Sequence, residues 1–415
     1  MFESLNNYWQ VHKNQWHAIS LTPLFMTLFF IIFASVFISN SNIEPVYDQL
    51  TAISGQLSLE DYPTFSQGVS TKIVFGLYNF IDDWDPITSN SHIRILIMAT
   101  YMIAGLLLFS TQKPIREKVM LTIIMQILLF TSLYAFLWAS HEVLAGTFLM
   151  LVFWSYFSDK PFALTASFLA LFSLAKPDLA FSGGLMGIYL AYESGQTWRQ
   201  RIMKLGIYIG IMIILCLPGI IHQGAVFFEM GRSSFSFFQH YAALIEPHQI
   251  TPSPNPWLHW EVYRDGVLGE GTDSLVSIIA RHPRKYYDFL LLSAGQTMVN
   301  LVRGKILYLL PLLFIALYQL IKNKYYGDPK TRNVIIMVII VSLGLVPITL
   351  MSFTHVRYMA RFYPIVLFVI YTYLLKVKSH KIYWVGIGYL FLIVILQLPD
   401  LKTILWSVGG NWGPD

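Results

Sequence analysis

The chain has 415 residues, 55% of them hydrophobic and only 12% charged, with a formal net charge of +5. Charged residues make up roughly a quarter of an ordinary soluble domain, so this composition excludes a typical water-soluble fold and a disordered chain alike. The positive charge gathers beside apolar stretches rather than in one patch, which argues against a nucleic-acid partner. Cys216 is the only cysteine, so no disulfide within the chain and no cysteine-based metal site is expected.

Eleven apolar stretches follow one another, near 19–39, 93–110, 119–139, 143–157, 161–175, 178–193, 202–221, 305–321, 334–353, 358–377 and 382–399. About 20 apolar residues span a hydrocarbon core as a helix. The expected fold is therefore all-α: a polytopic integral membrane protein of about 11 transmembrane helices, forming one transmembrane domain over 1–415. The first stretch has no small-residue cleavage site and reads as a retained span rather than a signal peptide.

Lys and Arg in the short connections set the orientation. With the N-terminus inside, the cytoplasmic segments hold 15 basic residues, among them Lys113, Lys160, Arg199, Lys330 and Lys376, against 5 acidic ones. The other side keeps 13 of the 28 basic and 18 of the 23 acidic residues. An odd number of spans puts the C-terminus outside.

Two long segments, 40–92 and 222–304, fall on the outer side. In the first, Glu44, Tyr47, Leu50 and Ile53 follow helical spacing, with Pro45 at a helix start. The run VSTKIVFGLYNFI is too short to span and suits the membrane interface. The second loop is aromatic and Pro-rich in its middle, then reads TDSLVSIIARHPRKYYDFLLLSAGQTMVNLV. That stretch predicts one or two amphipathic helices with a break at Pro283 and an N-cap at Thr272 or Asp273.

Ionisable groups at span ends are the functional candidates. Glu44 and Asp48 are four apart, which puts both carboxylates on one helix face. There, one takes a proton from an acceptor hydroxyl or holds a cation that does so; the bland alternative is an acidic helix start. His141-Glu142 sits in the turn between the third and fourth stretches, where a solvated hairpin tip is the alternative. Lys176-Pro177-Asp178 links the fifth and sixth, where Lys176 meets either a lipid headgroup or a phosphate ligand. His355, Arg357 and Arg361 stand at the start of the tenth stretch, with the two arginines on one helical face. Arginines on the outer side need a negative partner: either a phosphate, which two Arg and a His at a helix start clamp well, or Glu44, Asp48 or Glu142.

These pieces, in this order, resemble the GT-C superfamily of polytopic glycosyltransferases, in the branch of the protein O-mannosyltransferases and aminoarabinose transferases. The family has an acidic pair and a Tyr after the first span; Glu44, Tyr47 and Gly55 of IEPVYDQLTAISG fall on that pattern. The chain departs from it in having Ile43 before Glu44 and then Asp48, which leaves the catalytic carboxylate between Glu44 and Asp48. Arg94 matches the Arg at the second span, Glu142 the acidic residue of the fourth, Lys176-Pro177 the turn after the fifth, and Arg357-Tyr358 with Pro364 the late Arg-Tyr motif. FFQHYA, with Gln239 and His240, is similar to a segment of the large outer loop in some bacterial members.

The resemblance implies a compact bacterial enzyme of the cytoplasmic membrane. Its donor is a polyprenyl-phosphate-linked sugar, held by Arg361, Arg357, His355 and Lys176. Its acceptor is a hydroxyl of a glycan, lipid or protein, activated by a first-loop carboxylate for one inverting displacement outside. Tyr47, Arg94, Glu142 and His240 are supporting residues. A divalent metal is used by some members and not by others. The alternatives are a polysaccharide polymerase or ligase with a lipid-linked donor, and a lipid-linked sugar flippase or transporter, which should show repeated halves.

Overall fold

The structure is a computed structural model, and it describes residues 23–29, 31–32, 68–74, 86–111, 119–133, 140–228, 237–241, 262, 275–303, 306–322, 328–346, 350, 358 and 361–406. Among these residues 92% are helical and none is in a strand, as the apolar runs predict. Twelve helices carry the fold: α1 (Pro86–Ser110), α2 (Val119–Leu133), α3 (Ser140–Phe157), α4 (Phe162–Ser173), α5 (Pro177–Ser194), α6 (Trp198–Gln223), α7 (Leu275–Arg281), α8 (Pro283–Arg303), α9 (Ile306–Lys322), α10 (Pro329–Leu343), α11 (Tyr363–Lys376) and α12 (His380–Trp406). Each apolar stretch from the second to the eleventh overlaps one of them. Of the first, residues 23–29 and 31–32 are described, as helix. The break at Pro283 falls between α7 and α8, while Thr272 and Asp273 lie outside the described residues.

Local chemistry fixes the helix starts. Thr197 caps α6 in a reciprocal box with Gln200, satisfying two amides that the helix cannot. Pro177 opens α5 and Pro329 opens α10, where Asp328 accepts from the Lys330 amide; proline loses nothing in a first turn. The turn between α3 and α4 needs a positive φ at Asp159 (53°), a conformation that Asp tolerates better than most residues.

α11 is the axis of the bundle. Tyr363 through Leu374, all but its last two residues, are buried. It packs on α1, α2, α3, α9 and α10, as a helix that is apolar all round should. Around it, α3, α4, α5 and α6 pack in sequence, and α2 carries α12. Gly183 permits the α4–α5 approach, since a Cβ there would collide with Ser173.

The periphery is apolar too. α6 buries only Tyr208, Cys216 and Gly219 and presents Ile202, Ile209, Ile213, Ile214, Leu217 and Ile221 outward. Phe314, Ile315 and Ile321 of α9 and Val385, Phe391 and Leu396 of α12 are likewise exposed. Among the described residues two helices are long and apolar enough to cross a membrane, Trp198–Gln223 and His380–Gln397; six more, such as Phe162–Ser173 and Tyr363–Lys376, are apolar but shorter. α4, at 12 residues, rises only about 18 Å.

Polar groups collect at the two ends of the bundle. At one end the starts of α3, α5 and α11 meet through Glu142, Asp178 and Arg361. At the other, Lys330 pairs with Asp159 at 2.9 Å, Arg332 with Glu193 at 2.8 Å, and Lys376 with Asp328. Asn333 ties this second end together, donating to Tyr156 and Glu193 and accepting from Tyr189. The helical rise from Asp178 to Glu193 separates the two poles by roughly 22 Å.

Candidate functional site

The first pole joins three of the residues singled out in the sequence, Glu142, Lys176 and Arg361. Glu142 stands in the first turn of α3 and Asp178 in the first turn of α5, where the positive end of a helix dipole favours a carboxylate. Lys176 is the residue just before α5, in an extended conformation with Pro177 behind it. Its ammonium lies 2.5 Å from Glu142 Oε1. Arg361 Nη1 donates to Asp178 Oδ2 at 2.6 Å, and Arg361 Nε faces Glu142 Oε2 at 3.5 Å. The Tyr358 ring lies near both cations, 4.9 Å from Lys176 Nζ and 5.2 Å from the Arg361 guanidinium carbon.

Two cations face two carboxylates, so the quartet is neutral as it stands. Its members differ in access. Arg361 and Glu142 are sealed, at 0% and 1% side-chain exposure, Asp178 is at 14%, and Lys176 reaches 22%. Arg361 Nη2 is buried without a hydrogen-bond partner among the described residues. A guanidinium has five N–H donors, so Arg361 retains donor capacity beyond its bond to Asp178.

A segment of the first long loop is bound to the same turn. Residues 69–74 form a short helix whose start lies on the end of α4. The Ser70 amide and hydroxyl donate to the carbonyls of Leu174 and Leu171, and Thr71 Oγ1 donates to that of Ala175. Gly68 takes a positive φ of 82° directly over Ala175, and a Cβ there would fall on its carbonyl oxygen. Glycine alone meets both demands. Val69 is buried with Leu174, Cys216 and Phe227. The first long loop is thereby fastened next to Lys176.

The remaining candidates divide. Arg361 lies two residues ahead of α11, which opens at Tyr363-Pro364. Of the negative partners weighed for it, Glu142 is present, and Asp178, named with Lys176 but not weighed as its partner, is the closer. His240 is buried on the short helix 237–241, whose Phe237, Phe238 and Tyr241 pack on Ile278 of α7 and Phe289 of α8. Arg94 falls within α1, with its side chain outside the description. Glu44, Tyr47, Asp48, His355 and Arg357 lie outside the described residues. Among the described residues no group of three or more His, Cys, Asp or Glu is placed to hold a metal ion.

Neither a protein-family model, nor a curated protein, nor a solved structure matches the chain.

Proposed function

We propose that the protein is a polytopic membrane glycosyltransferase of the GT-C kind, which moves a sugar from a polyprenyl-phosphate donor to an acceptor hydroxyl on the outer face of the membrane. The observation that carries this reading is the quartet of Glu142, Lys176, Asp178 and Arg361. Two of its four members, Glu142 and Lys176, match the resemblance residue by residue, and all four gather at one end of the bundle. The exposed apolar rows of α6, α9 and α12 support the membrane setting, since a water-soluble monomer rarely presents contiguous apolar patches of that extent. The basic residues of the second pole, Lys330, Arg332 and Lys376, fit the cytoplasmic side by the charge rule.

In this reading the donor phosphate enters beside Lys176, with Arg357 and His355 completing its cradle. A carboxylate of the first loop, Glu44 or Asp48, takes the proton of the acceptor hydroxyl. The hydroxyl oxygen bonds to the anomeric carbon from the face opposite the phosphate, the bond from that carbon to the phosphate oxygen breaks, and polyprenyl phosphate leaves with the electron pair. Lys176 and the positive starts of α3 and α5 stabilise the charge that develops on the leaving phosphate.

A photoreactive polyprenyl-phosphate sugar, supplied to the full chain in proteoliposomes, tests the proposal. The expected crosslinks fall on residues around 176–178 and 355–361, and sugar transfer to an acceptor accompanies them. Crosslinks confined to the opposite pole, for instance around Arg199, overturn the proposal.

A further inference from the structure

α8 is built inside out. Its inward stripe holds Phe289 and then the polar residues Ser293, Thr297 and Asn300, at 0%, 8% and 3% exposure. Its outward face holds Tyr287, Leu291, Leu292, Met298 and Val299, each between 44% and 62% exposed. A helix on the surface of a water-soluble domain has the reverse pattern. α7 continues the outward row with Val276 and Ile279.

The course of the chain fixes how α8 lies. Near its start, Tyr286 donates to the Leu350 carbonyl at 3.0 Å. Leu350 stands between two points of the pole that holds the quartet. One is the end of α10, where a Cβ on Gly344 would come within 2.9 Å of Ser182 Oγ, one turn beyond Asp178; the other is Arg361. The far end of α8, Arg303, shortly precedes Ile306, the start of α9. α9 runs toward the opposite pole, because Asp328, just past its end, pairs with Lys376. Both ends of a 21-residue helix, roughly 31 Å long, thus belong to one pole, and α8 lies across it instead of through the bundle.

Charge singles out what covers the outward face. Residues 275–303 contain four Lys or Arg and one acid, Asp288. Arg281 and Arg284 are exposed on either side of the Pro283 break, with Lys285 half-buried beside them. These three cations against the single Asp288 give the outward face of the two helices a basic flank. An in-plane helix with an apolar face and a basic flank is the pattern of a membrane-surface anchor, and the apolar face runs on into exposed Leu307 and Tyr308 of α9.

We propose that α7 and α8 form a collar seated in the outer lipid leaflet, with the apolar face of α8 among the acyl chains and Arg281, Arg284 and Lys285 on the headgroups of anionic phospholipids. This rests on the membrane reading above. The collar holds the 237–241 helix through Phe289 and Tyr286, so it positions the second long loop at the level of the lipid headgroups.

The test uses the full chain with Cys216→Ser and single labelled cysteines at Leu291, Met298 and, as a control mid-way along α9, Phe314, in vesicles of phosphatidylcholine and phosphatidylglycerol. Brominated lipid should quench all three labels and aqueous iodide none. Quenching of Phe314 by lipid but of the α8 labels by iodide overturns the collar and leaves the membrane reading standing; quenching of Phe314 by iodide overturns both. A disulfide between two Leu291→Cys chains, with the α8 labels shielded from both quenchers, assigns the face to a second copy and also overturns the collar. In mixed micelles, Arg281→Gln, Arg284→Gln and Lys285→Gln should each weaken phosphatidylglycerol binding about fivefold, the value of one charge near an anionic surface. Unchanged binding in the triple variant rejects the headgroup contact.

Discussion

Arg361 bonds to Asp178 at 2.6 Å across 183 residues of sequence, and the guanidinium is fully enclosed. One bond thereby fixes the start of α11 against the start of α5. It also holds Arg361 beside Glu142, whose other oxygen faces Lys176. The two carboxylates divide the work: Asp178 bonds to the buried cation, and Glu142 bridges it to the accessible one.

Removing one side of a buried pair leaves an uncompensated charge and costs about 3–5 kcal/mol. Arg361→Met and Asp178→Leu are each expected to destabilise the protein by that amount, read as a lowered midpoint of thermal unfolding in detergent. The double variant should recover much of the loss, because an apolar pair of similar volume avoids the desolvation of both ions. Arg361→Lys should already impair transfer, since a point charge cannot replace the planar fork. Additive losses in the double variant would show that the two residues are not coupled.

Lys176 is the member of the quartet that solvent and ligand reach most easily. Lys176→Ala should leave the folded bundle in place, because Arg361 still neutralises Glu142 in part. It should lower transfer by roughly 10- to 100-fold, the size of one charge-assisted contact worth about 1.5–3 kcal/mol. The informative comparison is turnover against unfolding midpoint in the same preparation. A large fall in the midpoint with normal turnover would assign Lys176 to the fold alone.

The helices were legible because long apolar runs leave little alternative to a helix. The quartet was legible in part: Glu142, Lys176 and Arg361 stand out as ionisable groups at the edges of apolar stretches. Asp178 stands with Lys176 in the same turn, but its bond to Arg361 did not show, because no local spacing links residues 183 apart in the chain. α11 itself starts at Tyr363, inside the tenth apolar stretch, because Pro364 suits the first turn and needs no amide partner there. The inverted face of α8 was also out of reach, since periodicity shows that a helix has two faces without showing which one turns inward.

Asp328 offers a pH test at the second pole. Burial alone would raise its carboxyl, but hydrogen bonds from Lys376 and Thr331 outweigh this and hold it below the usual aspartate range. A group whose folded value is depressed contributes stability that is complete above its unfolded value, about 3.9 for Asp, and lost as the pH falls through the folded value. Acidification from about pH 5 downward should therefore loosen the contact between α10 and α11. Asp328→Asn should remove that part of the acid sensitivity and be less stable than the parent at neutral pH. Parallel acid profiles in the two proteins would rule the contact out as a source of it.

The topology read from charge places 40–92 and 222–304 on the same outer face, with the N-terminus inside and the C-terminus outside. In a Cys216→Ser background, cysteines at Ser66 and Ser253 should react with an impermeant reagent in intact cells. A cysteine at Lys330, on the second pole, should react only after the membrane is opened. Reaction of Ser66→Cys or Ser253→Cys from the cytoplasmic side alone would overturn the arrangement, and with it the outer placement of the quartet.

The catalytic base is expected in the first loop, Glu44 ahead of Asp48. The loop that carries both carboxylates is fastened beside Lys176 through Ser70 and Thr71. A general base acts on the acceptor proton and not on the donor phosphate. Glu44→Gln should therefore leave donor binding and the unfolding midpoint nearly unchanged and lower turnover by about 100-fold or more. Asp48→Asn should have a smaller effect, and the reverse order would move the role to Asp48. Normal turnover in both variants would remove the base from this loop and would require the acceptor to be activated elsewhere.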